Sequence, residues 1–288
     1  MIPGDEAVDR ALDTLAEHLQ IRQVHDPDSH TALCLFGLDE DVVIEAIGMY
    51  LVGLLAGIVR TNLELSAVML AQTPAGRAQL FGTVEALLHP AADATDEAVK
   101  VFDANVRDPW IAEAIGHAVL AVRGRADTEC LDGRVAALTV PHPQPSQQGV
   151  DLFAIYDDGG LPAMALGEAK ATRANGSARL TQAIGFFRTV EDGDRDVDIL
   201  MQVTLLREAL DPALQQGLSA SFWHERACYL PVIAHGDDVD MSAERPSLAA
   251  IDRAASHKRV IHCRPEEYTA FFDAVATATL SAVDTITP

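Results

Sequence analysis

Residues 149–170 read GVDLFAIYDDGGLPAMALGEAK. Two apolar runs flank Asp158–Gly159–Gly160–Leu161, and a Gly-Gly pair favours the type I′ turn of a two-residue hairpin. With Gly159 and Gly160 as the loop, Asp158 pairs with Leu161, and counting outward sets Asp151 opposite Glu168. Directly opposed side chains hold their Cβ atoms about 4.5–5.5 Å apart. Lys170 lies two residues past Glu168 and therefore on the same face. A one-residue shift of the turn makes the two acids diagonal neighbours, still on one face. The remaining residues are apolar on both faces, as in strands buried inside a domain. Two carboxylates facing each other there repel, and burying each charge unpaired costs several kcal/mol. A divalent cation removes the conflict, and magnesium takes oxygen ligands, usually a few carboxylates plus water. Lys170 then stands ready to hold a phosphate oxygen or to orient an attacking water. The competing reading is an edge-strand ion pair between Asp151 and Lys170 with Glu168 solvated.

Lysine usage favours the metal reading. Among 18 arginines the chain holds three lysines, Lys100, Lys170 and Lys258. Arginine is the default cation, yet position 170 carries the compact, movable ammonium rather than a guanidinium fork.

The whole chain has 288 residues and a formal net charge of −22. That length allows one large domain or two modest ones. That charge repels anionic membranes and excludes a general basic face for nucleic acid, so a polyanion requires a local basic site or a partner protein. Cys34, Cys130, Cys228 and Cys263 are far apart and form no CxxC pair, which fits reduced thiols in the cytoplasm. MIPGDEAVDR lacks the basic and apolar regions of a signal peptide. The apolar run from Ala46 to Val59 spans 14 residues with three glycines, too short for a bilayer and suited to a buried helix.

The first ninety residues read as helical, with Val8, Leu12, Leu15 and Leu19 at helical spacing, a second helix from Val42 behind acids at 39–41, and a third over Leu63 to Leu88. The breaker-rich segment from His89 to Asp96 places a boundary between a helical N-terminal region (1–95) and a second domain (96–288). There, Asp108 and Pro109 serve as N-cap and N1 of a helix to about Val122. Strands follow at Val135–Val140, Val150–Tyr156 and Ala163–Lys170, then a helix capped by Ser177 and running to about Val190. Later strands lie at Cys228–Ala234 and Arg259–Cys263, and a closing helix at Glu266–Val283. The expected class is α/β (α+β), helices flanking a mixed sheet.

An acid opening one strand, a hairpin, and Glu168–Ala169–Lys170 closing the partner strand resembles the PD-(D/E)xK, or restriction-endonuclease-like, nuclease superfamily. Its core is helix, three strands, helix, strand, and the likeness covers roughly residues 105–235. Val150 stands where the motif's proline would be. The resemblance implies a mixed sheet and a DNA-cleaving, magnesium-dependent phosphodiesterase, with Mn2+ able to substitute. It implies Asp151, Glu168 and the Ala169 carbonyl as metal ligands and Lys170 as a catalytic residue. Helices before the first strand often add an acid, and Glu113 in WIAEAIGHAVLAV is the best match. The alternative is a solvated stripe of Glu113 and His117, four residues apart. Gln182 and Phe186 in TQAIGFF look like the QxxxY element of RecB-type members with the hydroxyl lost; an amide beside a core aromatic is the alternative. WIAEAIGHAVLAV, GVDLFAIY and LGEAK together are similar to the nuclease subunit of the Hachiman antiphage system, the HamA family. That likeness implies a helical N-terminal region and a helicase partner that restrains the nuclease until foreign DNA is sensed.

Residues 169–190 contain Lys170, Arg173, Arg179 and Arg188 and no acid. The arginines are candidates for bidentate contacts to a nucleic-acid backbone; a solvated helix face is the alternative. His25, Asp26, Asp28 and His30 in VHDPDSH read as a Pro-broken turn between helices rather than a metal site. His257, His262 and Cys263 lack a zinc spacing. No Walker A loop, GxGxxG or GxSxG is present. Two further function classes stay open: a catalytically inactive nuclease fold that binds protein, and a metal-dependent hydrolase of a small phosphorylated substrate.

Overall fold

The computed structural model describes residues 5–25, 27–56, 77–122, 130–139, 149–219 and 221–286. Seven strands form one sheet: β1 (Gln20–His25), β2 (Thr31–Phe36), β3 (Arg134–Leu138), β4 (Leu152–Asp158), β5 (Leu161–Thr172), β6 (Ala227–His235) and β7 (Arg259–Cys263). Their spatial order is β1-β2-β7-β6-β5-β4-β3. The four central strands, β2, β7, β6 and β5, run parallel, and antiparallel hairpins finish both edges. The class is α+β, a mixed sheet flanked by helices with a largely helical N-terminal region.

The deciding hairpin has the expected register. Gly159 and Gly160 both take positive φ, +63° and +88°, which a type I′ turn requires and L side chains rarely adopt. Asp158 pairs with Leu161, and the ladder runs outward to Leu152 and Gly167. β5 then continues alone past the start of β4 and pairs with β6 as far as Thr172. Pro231 sits in β6 opposite Glu168. With no N–H to give, it interrupts the β6–β7 ladder, which shows a bridge at Tyr229–Lys258 and resumes at Val232–Ile261.

Helices cover both faces. α5 (Asp108–Val122) lies against the face carrying Leu152 and Val232; a Cβ added at its Gly116 would meet Leu152 Cδ1 at 2.6 Å and Val232 Cγ2 at 3.1 Å. α6 (Gly176–Glu191) covers the other face, where Phe187 stacks on Tyr229 with ring centroids 4.6 Å apart. Two details differ from expectation. α5 spans Asp108–Val122 as expected, but Asp108 is helical rather than an N-cap, because α4 (Asp96–Phe102) leads into α5 through a π-turn, Asp103–Arg107. That wide turn lies just before Pro109, whose ring clashes with a regular i−4 carbonyl. Ser177 does not cap α6, which is entered from Asn175 in the left-handed region (φ 68°). The first-turn N–H of Gly176 is instead satisfied by Asp237 Oδ2 at 2.9 Å.

The largest difference lies in the N-terminal region. It holds α1 (Asp5–His18), α2 (Asp41–Leu55) and α3 (Arg77–Leu88), and between the first two it also contributes β1 and β2. VHDPDSH therefore turns a hairpin rather than joining two helices. His30 is buried, its Nε2 2.9 Å from the Met241 carbonyl. Asp26, the His25 side chain, Val59, Val140 and residues 63–76 of the expected third helix lie outside the described positions. Because β2 pairs with β7, the boundary near residue 95 does not separate two sheets. α2 also packs on α11 (Tyr268–Ile286) closely enough that a Cβ at Gly48 would stand 2.7 Å from the backbone of Ala278 and Thr279. Gly48→Ala must push the two helices apart and is expected to cost about 1–3 kcal/mol. Urea unfolding would report this as a lower midpoint with an unchanged slope.

Candidate active site

Beyond Leu152 the backbone of β4 no longer bonds to β5, and the Ala169 N–H on that edge needs a new acceptor. Asp151 supplies it: Oδ2 accepts the Ala169 N–H at 2.9 Å. The same bond fixes the first carboxylate beside the Glu168–Ala169–Lys170 stretch. A residue's N–H and C=O point to the same edge of a strand, so the Ala169 carbonyl also faces the Asp151 side.

Glu168 is buried, 9% exposed, and Lys170 is half-buried. Lys170 Nζ donates to Glu168 Oε1 at 2.5 Å, while Glu168 Oε2 is buried with no hydrogen-bond partner. A solvated Glu168 is therefore not what the fold provides. Burial raises the Glu168 carboxyl to about 7, and the Asp151 charge adds to the rise; the Lys170 and Arg195 charges oppose it. An orphaned carboxylate oxygen next to a second carboxylate is the donor set a hard divalent cation takes. Asp151, Glu168 and the Ala169 carbonyl thus fit magnesium or manganese, an all-oxygen set that zinc, which favours thiolate and imidazole, does not prefer.

Glu113 belongs to the helix on the opposite side of the sheet. It is buried on α5, the helix on the Leu152 face, whereas alternation along β5 sends Glu168 and Lys170 to the α6 face. Among the described residues no group of three or more His, Cys, Asp or Glu side chains is gathered for a metal. The local pattern WIAEAIGHAVLAV marks a buried acid but not the face to which the helix delivers it. His117 is also buried, between the Tyr50 hydroxyl at 2.5 Å and the Thr139 carbonyl at 2.6 Å, so the two residues form no solvated stripe.

The basic stretch divides. Arg173 acts electrostatically on Asp103 and Tyr268, on the helices of the α5 side. Arg188 is nine residues from Arg179, about half a turn out of phase, and reaches toward the Ser247 carbonyl at 3.5 Å. Arg179 lies on the exposed face of α6, where its Nη1 donates to Gln182 Oε1 at 2.8 Å and Phe186 continues the same face. Arg195 Cζ lies 5.5 Å from the Phe186 ring centroid, and its charge acts on Glu168. Sequence reading missed Arg195. It caps α7 (Asp196–Arg207), a short helix behind a Gly-Asp-Arg-Asp turn, and only tertiary packing brings it near β5.

The arrangement can bind a divalent cation at two carboxylates, keep an ammonium 2.5 Å from one of them, and present the Arg195 guanidinium nearby at the start of α7. No helix of the described residues is long and apolar enough to cross a membrane. Comparison of the chain with protein-family models and with curated proteins finds no match.

Proposed function

We propose that the chain is a magnesium-dependent phosphodiesterase that cleaves DNA. The observation that carries this reading is Glu168: buried, held through one oxygen by Lys170, and left without a partner at the other beside Asp151. The order α5–β3–β4–β5–α6–β6 also matches the PD-(D/E)xK core that the motif resembles. A bound magnesium would lower the pKa of its water and neutralise phosphate charge. Asp151 and Glu168 hold and orient the ligand set, the first being pinned by the Ala169 N–H. Lys170 steadies the nucleophile and the negative charge that develops on the phosphate. Arg179 and Arg195 offer guanidinium contacts to the polymer backbone. Glu113 is left out of the ligand set.

The resemblance to the HamA family extends the proposal to a cytoplasmic antiphage effector restrained by a helicase partner. The net charge of −22 accords with a nuclease that approaches DNA slowly by itself. The test is incubation of plasmid DNA with the purified chain and magnesium, with and without whatever protein is encoded beside it in the genome. Magnesium-dependent nicking that EDTA stops is expected. Lack of cleavage in both states, together with efficient hydrolysis of a small phosphate ester, would favour the small-substrate hydrolase. Lack of cleavage with no magnesium affinity would favour the inactive binding module.

A further inference from the structure

A surface helix ordinarily buries one apolar stripe and shows a polar one to water. α7 shows two apolar stripes. Ile199, Val203 and Leu206 are buried against the domain. On the opposite side, Val197 is 72% exposed, Leu200 45%, Met201 61% and Leu205 46%. Their spacing of three, four and eight residues from Val197 aligns them on one face, about 180° around the helix from the buried set. No other described helix concentrates exposed large apolar residues in this way. A contiguous apolar patch of this kind with a polar rim marks an interaction surface.

The surrounding charge narrows the occupant. From Glu191 to Asp211 there are seven acids and two arginines, and Asp198 and Glu208 border the stripe itself. Arg195 is already paired with Asp198 at 3.3 Å. A second copy of this chain would bring the same acids and a net charge of −22 against them. An anionic lipid surface is disfavoured for the same reason. We infer that the outer face of α7 docks a basic amphipathic helix of a partner protein, its apolar side on Val197, Leu200, Met201 and Leu205 and its lysines or arginines on the acidic rim. The inference requires neither metal nor DNA cleavage and stands apart from the nuclease proposal.

The test uses the full chain and a synthetic Leu/Lys amphipathic helix of about five turns, with a Leu/Glu helix of the same pattern as control. Hydrogen exchange should show protection of residues 197–205 by the basic helix alone. Leu200→Gln with Met201→Gln keeps every charge and alters only exposed positions, so the fold is checked by far-UV circular dichroism and an unchanged urea midpoint. This double variant should weaken the basic helix at least about tenfold. Equal binding of both helices, or binding of the basic helix that the double variant leaves intact, overturns the proposal. So does a concentration-dependent dimer, or adsorption to vesicles containing phosphatidylserine, that the double variant abolishes.

Discussion

Lys170→Arg is expected to lower phosphodiester cleavage by at least about 100-fold, a typical loss for a positioned proton-handling or charge-stabilising group, while magnesium binds nearly as before. The ammonium lies 2.5 Å from Glu168 Oε1 in a half-buried position on β5. Guanidinium keeps the charge but is longer and planar, and cannot occupy the space of a compact ammonium. Glu168→Gln should behave differently. It removes a ligand charge, so metal affinity and cleavage fall together. Calorimetric magnesium titration beside a plasmid assay separates the two, in whichever state the wild type is active. Full cleavage by Lys170→Arg, or undiminished magnesium affinity in Glu168→Gln, would refute the roles assigned to these residues.

The same carboxylate should leave a mark on stability without any metal. Burial lifts the Glu168 carboxyl from its ordinary 4.5 to about 7 in the folded chain. Between those values the folded state binds more protons than the unfolded state, so stability falls as pH rises through this window. At 1.36 kcal/mol per unit, the loss is on the order of 3 kcal/mol by pH 8. Glu168→Gln cannot ionise. In EDTA, urea unfolding should therefore find the variant gaining on the wild type from pH 4.5 to pH 8, with the difference levelling off above 7. Comparing the two proteins cancels Asp103 and Asp108, whose carboxyls burial also raises. A difference that stays flat with pH would mean that Glu168 is not held in the desolvated position described.

The hairpin and its charges were legible because they depend on near neighbours. A Gly-Gly turn fixes its own register, and period-two alternation then places Glu168 and Lys170 on one face without knowledge of the remaining chain. Strand β7 was likewise readable at Arg259–Cys263, a short β-rich run bounded by polar residues. β1 and β2 were not. QIRQVH is a half-exposed edge strand with little apolar signal, and its pairing partner β2 is held by a strand more than two hundred residues away. Helical periodicity in Val8–Leu19 and Val42–Leu55 on either side pulled the reading toward an all-helical region. In the site, Asp151, Glu168 and Lys170 could be grouped from spacing alone. The face reached by Glu113 and the approach of Arg195 could not, because both depend on how helices pack on the finished sheet.

The parallel pairing of β2 with β7 has a consequence for the order of assembly. Residues 31–36 leave the ribosome more than two hundred residues ahead of the strand that must hold them, residues 259–263. The loop closed by that pairing spans more than two hundred residues, and its entropy cost is met before the contact returns any energy. Until then the β7-side edge of β2, and the surface of α2 that rests on the later-emerging α11, lack their native partners. During synthesis the nascent amino-terminal segment is thus a client for chaperones, with an open strand edge prone to mispairing. A ribosome stalled short of residue 259 should carry a protease-sensitive segment around residues 31–55, and resistance should appear only once the helix Tyr268–Ile286 has been extruded.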